Sequence, residues 1–76
     1  MAEKIIKVGS KVMWRGVWGS APAVETTVDH IERTERPHEK DGVPVDSIPF
    51  SEREYSVMDL SNGHWCYGYQ IVDVLD

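Results

Sequence analysis

An all-β fold of four or five short strands is what this sequence predicts, on three observations. The first is Asn62-Gly63, which joins two apolar-rich runs within Tyr55–Ile71, YSVMDLSNGHWCYGYQI. Asn-Gly is the strongest short-range signal for a tight β-hairpin, because a type I′ turn needs φ > 0 at both central residues. The second is period-two alternation along KIIKVGSKVMWR, where Val8, Ser10, Val12 and Trp14 alternate with Gly9, Lys11, Met13 and Arg15. The third is Val24–Arg33, VETTVDHIER, whose Thr-Thr-Val run is stiff at χ1 and weighs against a helix.

Taken in order, Lys4–Arg15 is expected as the first strand, since Gly9 and the β-branched residues disfavour a helix. Gly16–Ala23, GVWGSAPA, follows as a glycine- and proline-punctuated loop with Trp18 at its centre. The second strand is Val24–Arg33. Its pattern slips between Val28 and Ile31, the mark of a bulge or a strong coil. Thr34–Ser47, TERPHEKDGVPVDS, reads as a charged loop with a short edge strand at Val43–Val45. Ile48 and Phe50 are core candidates, and Pro49 between them confines that piece to an edge or a loop. The hairpin comes next, and Val72–Asp76 closes the chain as a short strand or a helical turn. A loop of Asn62-Gly63 alone pairs Leu60 with Trp65 and Met58 with Tyr67. Met58, Leu60, Trp65, Tyr67 and Tyr69 then share one face, and Tyr55, Val57, Asp59, Ser61, His64, Cys66 and Gln70 the other. A three-residue bulged loop shifts the register by one and regroups these faces, so the buried face stays open.

Seventy-six residues make one domain, 1–76, near the size at which a single core holds without staples. The single cysteine, Cys66, leaves no internal disulfide and no thiol cluster for zinc. No run approaches the ~18 consecutive apolar residues of a membrane span, and MAEKIIKVGS lacks the apolar run of a secretory signal, so the expected compartment is the cytoplasm. The net charge is −5, unevenly placed. Lys4, Lys7, Lys11 and Arg15 stand against Glu3 in the first twenty residues, and the remainder carries four bases against twelve acids. An acidic domain repels phosphate backbones unless one face concentrates the cations.

The aromatic set Trp14, Trp18, Trp65, Tyr67 and Tyr69 is the most informative feature for function. Trp14 and one of Trp65 or Tyr67 are expected in the core, with Trp18 and Tyr69 exposed. Such rings hold a cation against their faces when a carboxylate such as Asp59 lies near. His64 and Cys66, two apart on a strand, are half of a metal site that His30 or His38 could join, or a nucleophile with its base. No third group orients them, and no metal, cofactor or catalytic residue is expected. Gly16 and Gly19 form a GxxG without a base between the glycines and read as a turn. Gly68 marks a bulge or the close approach of another backbone.

The order of these segments resembles the small five-stranded barrels of the Src-homology-3-like group, including Tudor-type and KOW-type modules. The likeness rests on Val8-Gly9-Ser10-Lys11-Val12, Thr27-Val28-Asp29-His30-Ile31, Tyr55-Ser56-Val57 with Leu60-Ser61-Asn62-Gly63, and Gln70-Ile71-Val72. It implies a small β barrel from a group of peptide binders, methylated-residue readers, RNA-associated modules and bacterial or phage proteins. The tyrosine-rich acidic first loop of the eukaryotic peptide binders is missing, which weakens the transfer of proline-rich recognition.

The expectation is therefore a non-enzymatic binding module that recognises a protein or peptide through Trp18, Trp65, Tyr67, Tyr69 and Asp59. Homodimerisation through an exposed edge or the same patch is its natural extension. The alternative is a nucleic-acid-associated barrel with Lys4, Lys7, Lys11 and Arg15 on phosphates and the aromatics stacking on bases.

Overall fold

The computed structural model describes residues 4–75 and is all-β, built of antiparallel strands with two short 3-10 helices. Asp76 of the expected closing strand lies outside the described residues. The strands are β1 (Ile5–Lys7), β2 (Lys11–Arg15), β3 (Ala23–Arg33), β4 (Val43–Val45), β5 (Ser47–Pro49), β6 (Ser56–Leu60), β7 (Trp65–Tyr67) and β8 (Ile71–Val74). The larger sheet has the order β7-β6-β3-β2-β8, with β4 added on β3, and it does not close. β1 and β5 form a separate ribbon.

The first expected strand is two strands. Val8-Gly9 turns the chain: the Ser10 N–H donates to the Lys7 carbonyl at 2.9 Å, and the Gly9 N–H to the Val28 carbonyl at 2.7 Å. β1 leaves to pair with β5, Ile6 opposite Ile48, and these two isoleucines carry the ribbon into the core. Pro49 therefore sits in an edge ribbon, where its missing N–H costs no central ladder bond.

β3 organises the larger sheet. Its first half pairs with β2 and its second half with β6 and β4, and the register breaks between Val28 and His30. The bulge swaps the side-chain parity: Thr26 and Val28 point inward before it, and Ile31 does so after it. His30 and Glu32 are thereby turned to the outside.

The hairpin uses the three-residue loop. The Gly63 N–H donates to the Leu60 carbonyl, the Leu60 N–H to the His64 carbonyl, and Met58 pairs with Cys66 rather than with Tyr67. The pairings of Leu60 with Trp65 and Met58 with Tyr67 are thus overturned. Cys66 joins Met58 and Leu60 in the core, and Trp65 and Tyr67 join Val57 and Asp59 outside. β7 also ends earlier than the sequence implied, because a 3-10 helix spans Gly68–Gln70. A Cβ on Gly68 would lie 1.5 Å from the Arg53 carbonyl oxygen, so this is the close backbone approach that its position between two tyrosines indicated. Arg53 ties the other 3-10 helix, Phe50–Tyr55, to β8 by donating from Nε to the Ile71 carbonyl at 2.7 Å.

The core comprises Ile6, Val12, Val28, Ile31, Ile48, Met58, Leu60, Cys66, Ile71 and Val74, with Trp14, Val45 and Phe50 packed against it. Among the described residues no helix is long and apolar enough to cross a membrane.

Candidate functional site

The strand register lays out one outer face residue by residue. Across β3, β6 and β7, His30 pairs with Asp59 and Asp59 with Trp65; one step along, Glu32 pairs with Val57 and Val57 with Tyr67. Directly opposed residues share a face, so these six side chains form a patch of two rows. The reverse face carries Ile31, Met58 and Cys66 into the core.

Three connections bring further rings to this patch. The first is the Gly16–Gly19 turn, where Val17 and Trp18 both have left-handed backbones at φ 51° and 55°. For L-residues each such position costs about 1–2 kcal/mol, and for a β-branched valine it is a genuine outlier. Hydrogen bonds hold the turn: Ala21 N–H to the Gly16 carbonyl, Ser20 N–H to the Val17 carbonyl, and Arg15 Nε to the Ala21 carbonyl. The Trp18 ring is left 66% exposed and stacks on Tyr67 at 5.8 Å.

The second is the Gly68–Gln70 helix, which sets Tyr69 parallel to Tyr67 at 6.2 Å, with the Tyr69 hydroxyl donating to the Trp18 carbonyl at 3.2 Å. Gln70 is buried and satisfied, since its Oε1 accepts from the Tyr67 N–H and its Nε2 donates to the Arg15 carbonyl. The third connection is the charged loop 34–42. His38, itself left-handed at φ 65°, meets Tyr69 and Tyr67 edge-on at 4.8 and 5.7 Å. Lys40 places its Nζ 5.3 Å from the centre of the Trp65 ring, and Trp65 meets Tyr67 edge-on at 5.3 Å. Tyr67 is the hub of the cluster.

Trp65, 45% exposed, is a wall between two hollows. One, of about 430 Å3, lies among Trp14, Val17, Trp18, His64, Trp65 and Gln70. Trp14 stacks there on His64 at 5.2 Å, and its indole Nε1 is buried with no hydrogen-bond partner among the described residues. The other, of about 330 Å3, lies among His30, Glu32, Lys40, Val57, Asp59 and Trp65. Glu32 is held at both oxygens, by His30 Nε2 at 3.0 Å and by the Gly42 N–H at 3.3 Å. Asp59 has no hydrogen-bond or ion-pair partner among the described residues. Behind it, burial first and the Asp59 charge second push the Cys66 thiol up to about 12.

The fold therefore gathers Trp18, Trp65, Tyr67 and Tyr69 into one cluster and sets Asp59 beside it. The expectation that Trp65 or Tyr67 is core is corrected: the three-residue loop turns both outward, and only Trp14 of that trio packs against the core. His38, Lys40, His30 and Glu32 were not foreseen at the site, because charges in a loop or on a bulged strand carry no pattern that fixes their direction. His64 and Cys66 part company, one stacked on Trp14 and the other interior. Lys4 and Lys7 lie with the β1 ribbon and Lys11 and Arg15 on β2, so the basic run is split between two sheets. Lys4 also pairs with Asp73 at 2.7 Å; that bond, followed by the Val74 N–H, holds the Asp73 carboxyl below its ordinary value. No family model matches the chain, and no curated protein or solved structure matches it either.

Proposed function

We propose that this chain is a non-enzymatic binding module, a Src-homology-3-like barrel in kind, that takes an extended peptide across the aromatic face around Tyr67. The antiparallel path β8-β2-β3-β6-β7 with a bent, shared β3 supports the five-stranded barrel reading; the β1–β5 ribbon and β4 are additions to it. One observation carries the functional reading: an exposed tryptophan is held out by two consecutive left-handed non-glycine residues. Strain of this kind persists where the surroundings over-determine it, and it clusters at ligand-contacting sites. The neighbouring exposure of Val17, Trp18 and Trp65 makes a contiguous apolar surface of the sort that marks interaction sites. The hollow beside Trp14 accepts an apolar side chain. No cofactor or catalytic group enters this reading.

The nucleic-acid alternative is less well supported, because its cations sit on two sheets and Lys4 is engaged by Asp73.

Peptide-display selection against the immobilised domain, with Trp18→Ala as the parallel control, tests the proposal. Trp18→Ala is expected to change stability by less than about 1 kcal/mol, as surface substitutions do. It is expected to lose the selected peptides, whose binding shifts the Trp18 and Trp65 indole resonances in the intact domain. Equal enrichment on both proteins, or none on either, overturns the peptide reading. Indole shifts induced instead by a single-stranded oligonucleotide at low salt, moving together with Lys7 and Lys11 and abolished by added salt, put the alternative in its place.

A further inference from the structure

We propose that the 330 Å3 hollow beside Trp65 is the specificity pocket of this face, that it takes an arginine side chain of the partner, and that Lys40 is its internal stand-in; this rests on the peptide-binding reading above. The pocket has the three parts that a guanidinium uses. A ring face is supplied by Trp65, and the chain already sets a cation against it at 5.3 Å. Carboxylates are supplied by Glu32 and Asp59. From the register these stand diagonally on adjacent strands, which puts their Cβ atoms within about 7–8 Å of each other. Glu32 is pre-positioned by His30 and the Gly42 N–H, and Asp59 is unpartnered among the described residues. A planar five-donor fork stacks on the indole while donating toward both acids; an ammonium group is a point charge and does one or the other.

Charge complementarity fixes the sign of the occupant. Two acids line the hollow in a chain of net charge −5. The cation in the pocket wall is Lys40, delivered by the loop 34–42 rather than by a strand. That loop is held at Gly42 and by the His38 edge contacts, so Lys40 can leave the ring without disturbing the sheet. An incoming arginine displaces it. Exposed cation–π contacts are worth about 0.5–1 kcal/mol, so the competition lowers affinity by about 2–5-fold.

The test is a titration of the full chain with N-acetylarginine amide and, separately, with its neutral isostere N-acetylcitrulline amide, followed by amide and indole resonances. The arginine probe is expected to bind in the millimolar range. It should move the Trp65 indole and the amides of His30, Glu32 and Asp59, while citrulline moves none of them. Asp59→Asn keeps the shape and should weaken the arginine probe about tenfold, as loss of a charged acceptor does. Lys40→Ala should tighten it by about 2–5-fold. Equal shifts from citrulline, unchanged affinity in Asp59→Asn, weaker binding in Lys40→Ala, or no shift at all overturn the arginine pocket. The peptide reading survives any of these if display-selected peptides still move Trp18 and Tyr67; if those peptides also fail, both fall.

Discussion

Gly68 and Cys66 show how single residues are constrained by the outer cluster and the core beneath it. A Cβ at Gly68 would meet the Arg53 backbone at 1.5 Å, which cannot give way as a side chain would, and the Ser56 hydroxyl at 2.5 Å. Gly68→Ala is therefore expected to cost about 3 kcal/mol or more, seen as a lowered urea midpoint; a neutral result contradicts the packing of the Gly68–Gln70 helix against the Phe50–Tyr55 helix. Cys66 is fully buried and its thiol is pushed up to about 12, so the native state keeps a proton that the unfolded chain gives up near pH 9. The native state then binds more protons than the unfolded one. Stability accordingly falls as pH rises through that window, by up to about 1.4 kcal/mol per unit, and is unaffected below it. Urea unfolding at about pH 8 and pH 10 should show this slope for the native chain and not for Cys66→Ala. The thiol should react with a disulfide reagent only after unfolding.

At the scale of elements, the two turns flanking the aromatic face behave oppositely. In the hairpin the left-handed position is Gly63 at φ +87°, with open space around its Cβ direction, so no strain is stored. In the Gly16–Gly19 turn Val17 and Trp18 take that region themselves. Val17→Asn is expected to raise stability by about 1 kcal/mol, because asparagine tolerates the left-handed region and Val17 is largely exposed. Thermal unfolding would detect a gain of that size, and a loss would refute the strain. Asn62-Gly63 announced the hairpin correctly, yet the face grouping inferred from a two-residue loop did not survive. The same dipeptide serves two- and three-residue loops, and one residue of register reverses which side chains meet the core. The slip seen between Val28 and Ile31 was legible because burial parity itself changes there. The break at Val8-Gly9 was not, since alternation continues through it.

For the whole molecule, the balance is between a small core and an uncovered aromatic face. A stable homodimer buries about 800 Å2 on each subunit, roughly a sixth of the 4716 Å2 surface. The aromatic face, flanked by the loop 34–42 through His38 and Lys40, is better matched to a narrow peptide. Sedimentation at micromolar concentration is expected to show a monomer; a dimer that dissociates in Trp18→Ala would assign the face to self-association instead. The β1–β5 ribbon meets the core through Ile6 and Ile48, both fully buried. Ile48→Ala is expected to cost about 2–5 kcal/mol, a large share of the 5–15 kcal/mol typical of a domain, read as a fall in the urea midpoint.

The all-β class, the hairpin, the bulge in β3, the edge strand at Val43–Val45 and the aromatic character of the candidate site were determined by the sequence alone. Each of these rests on local chemistry: turn propensity, period-two patterning and residue type. Tertiary structure decided the rest. It separated β1 from β2, chose the loop that turns Trp65 and Tyr67 outward, and carried His38 and Lys40 across the chain onto those rings. These are contacts between segments remote in sequence, and local pattern holds no term for them.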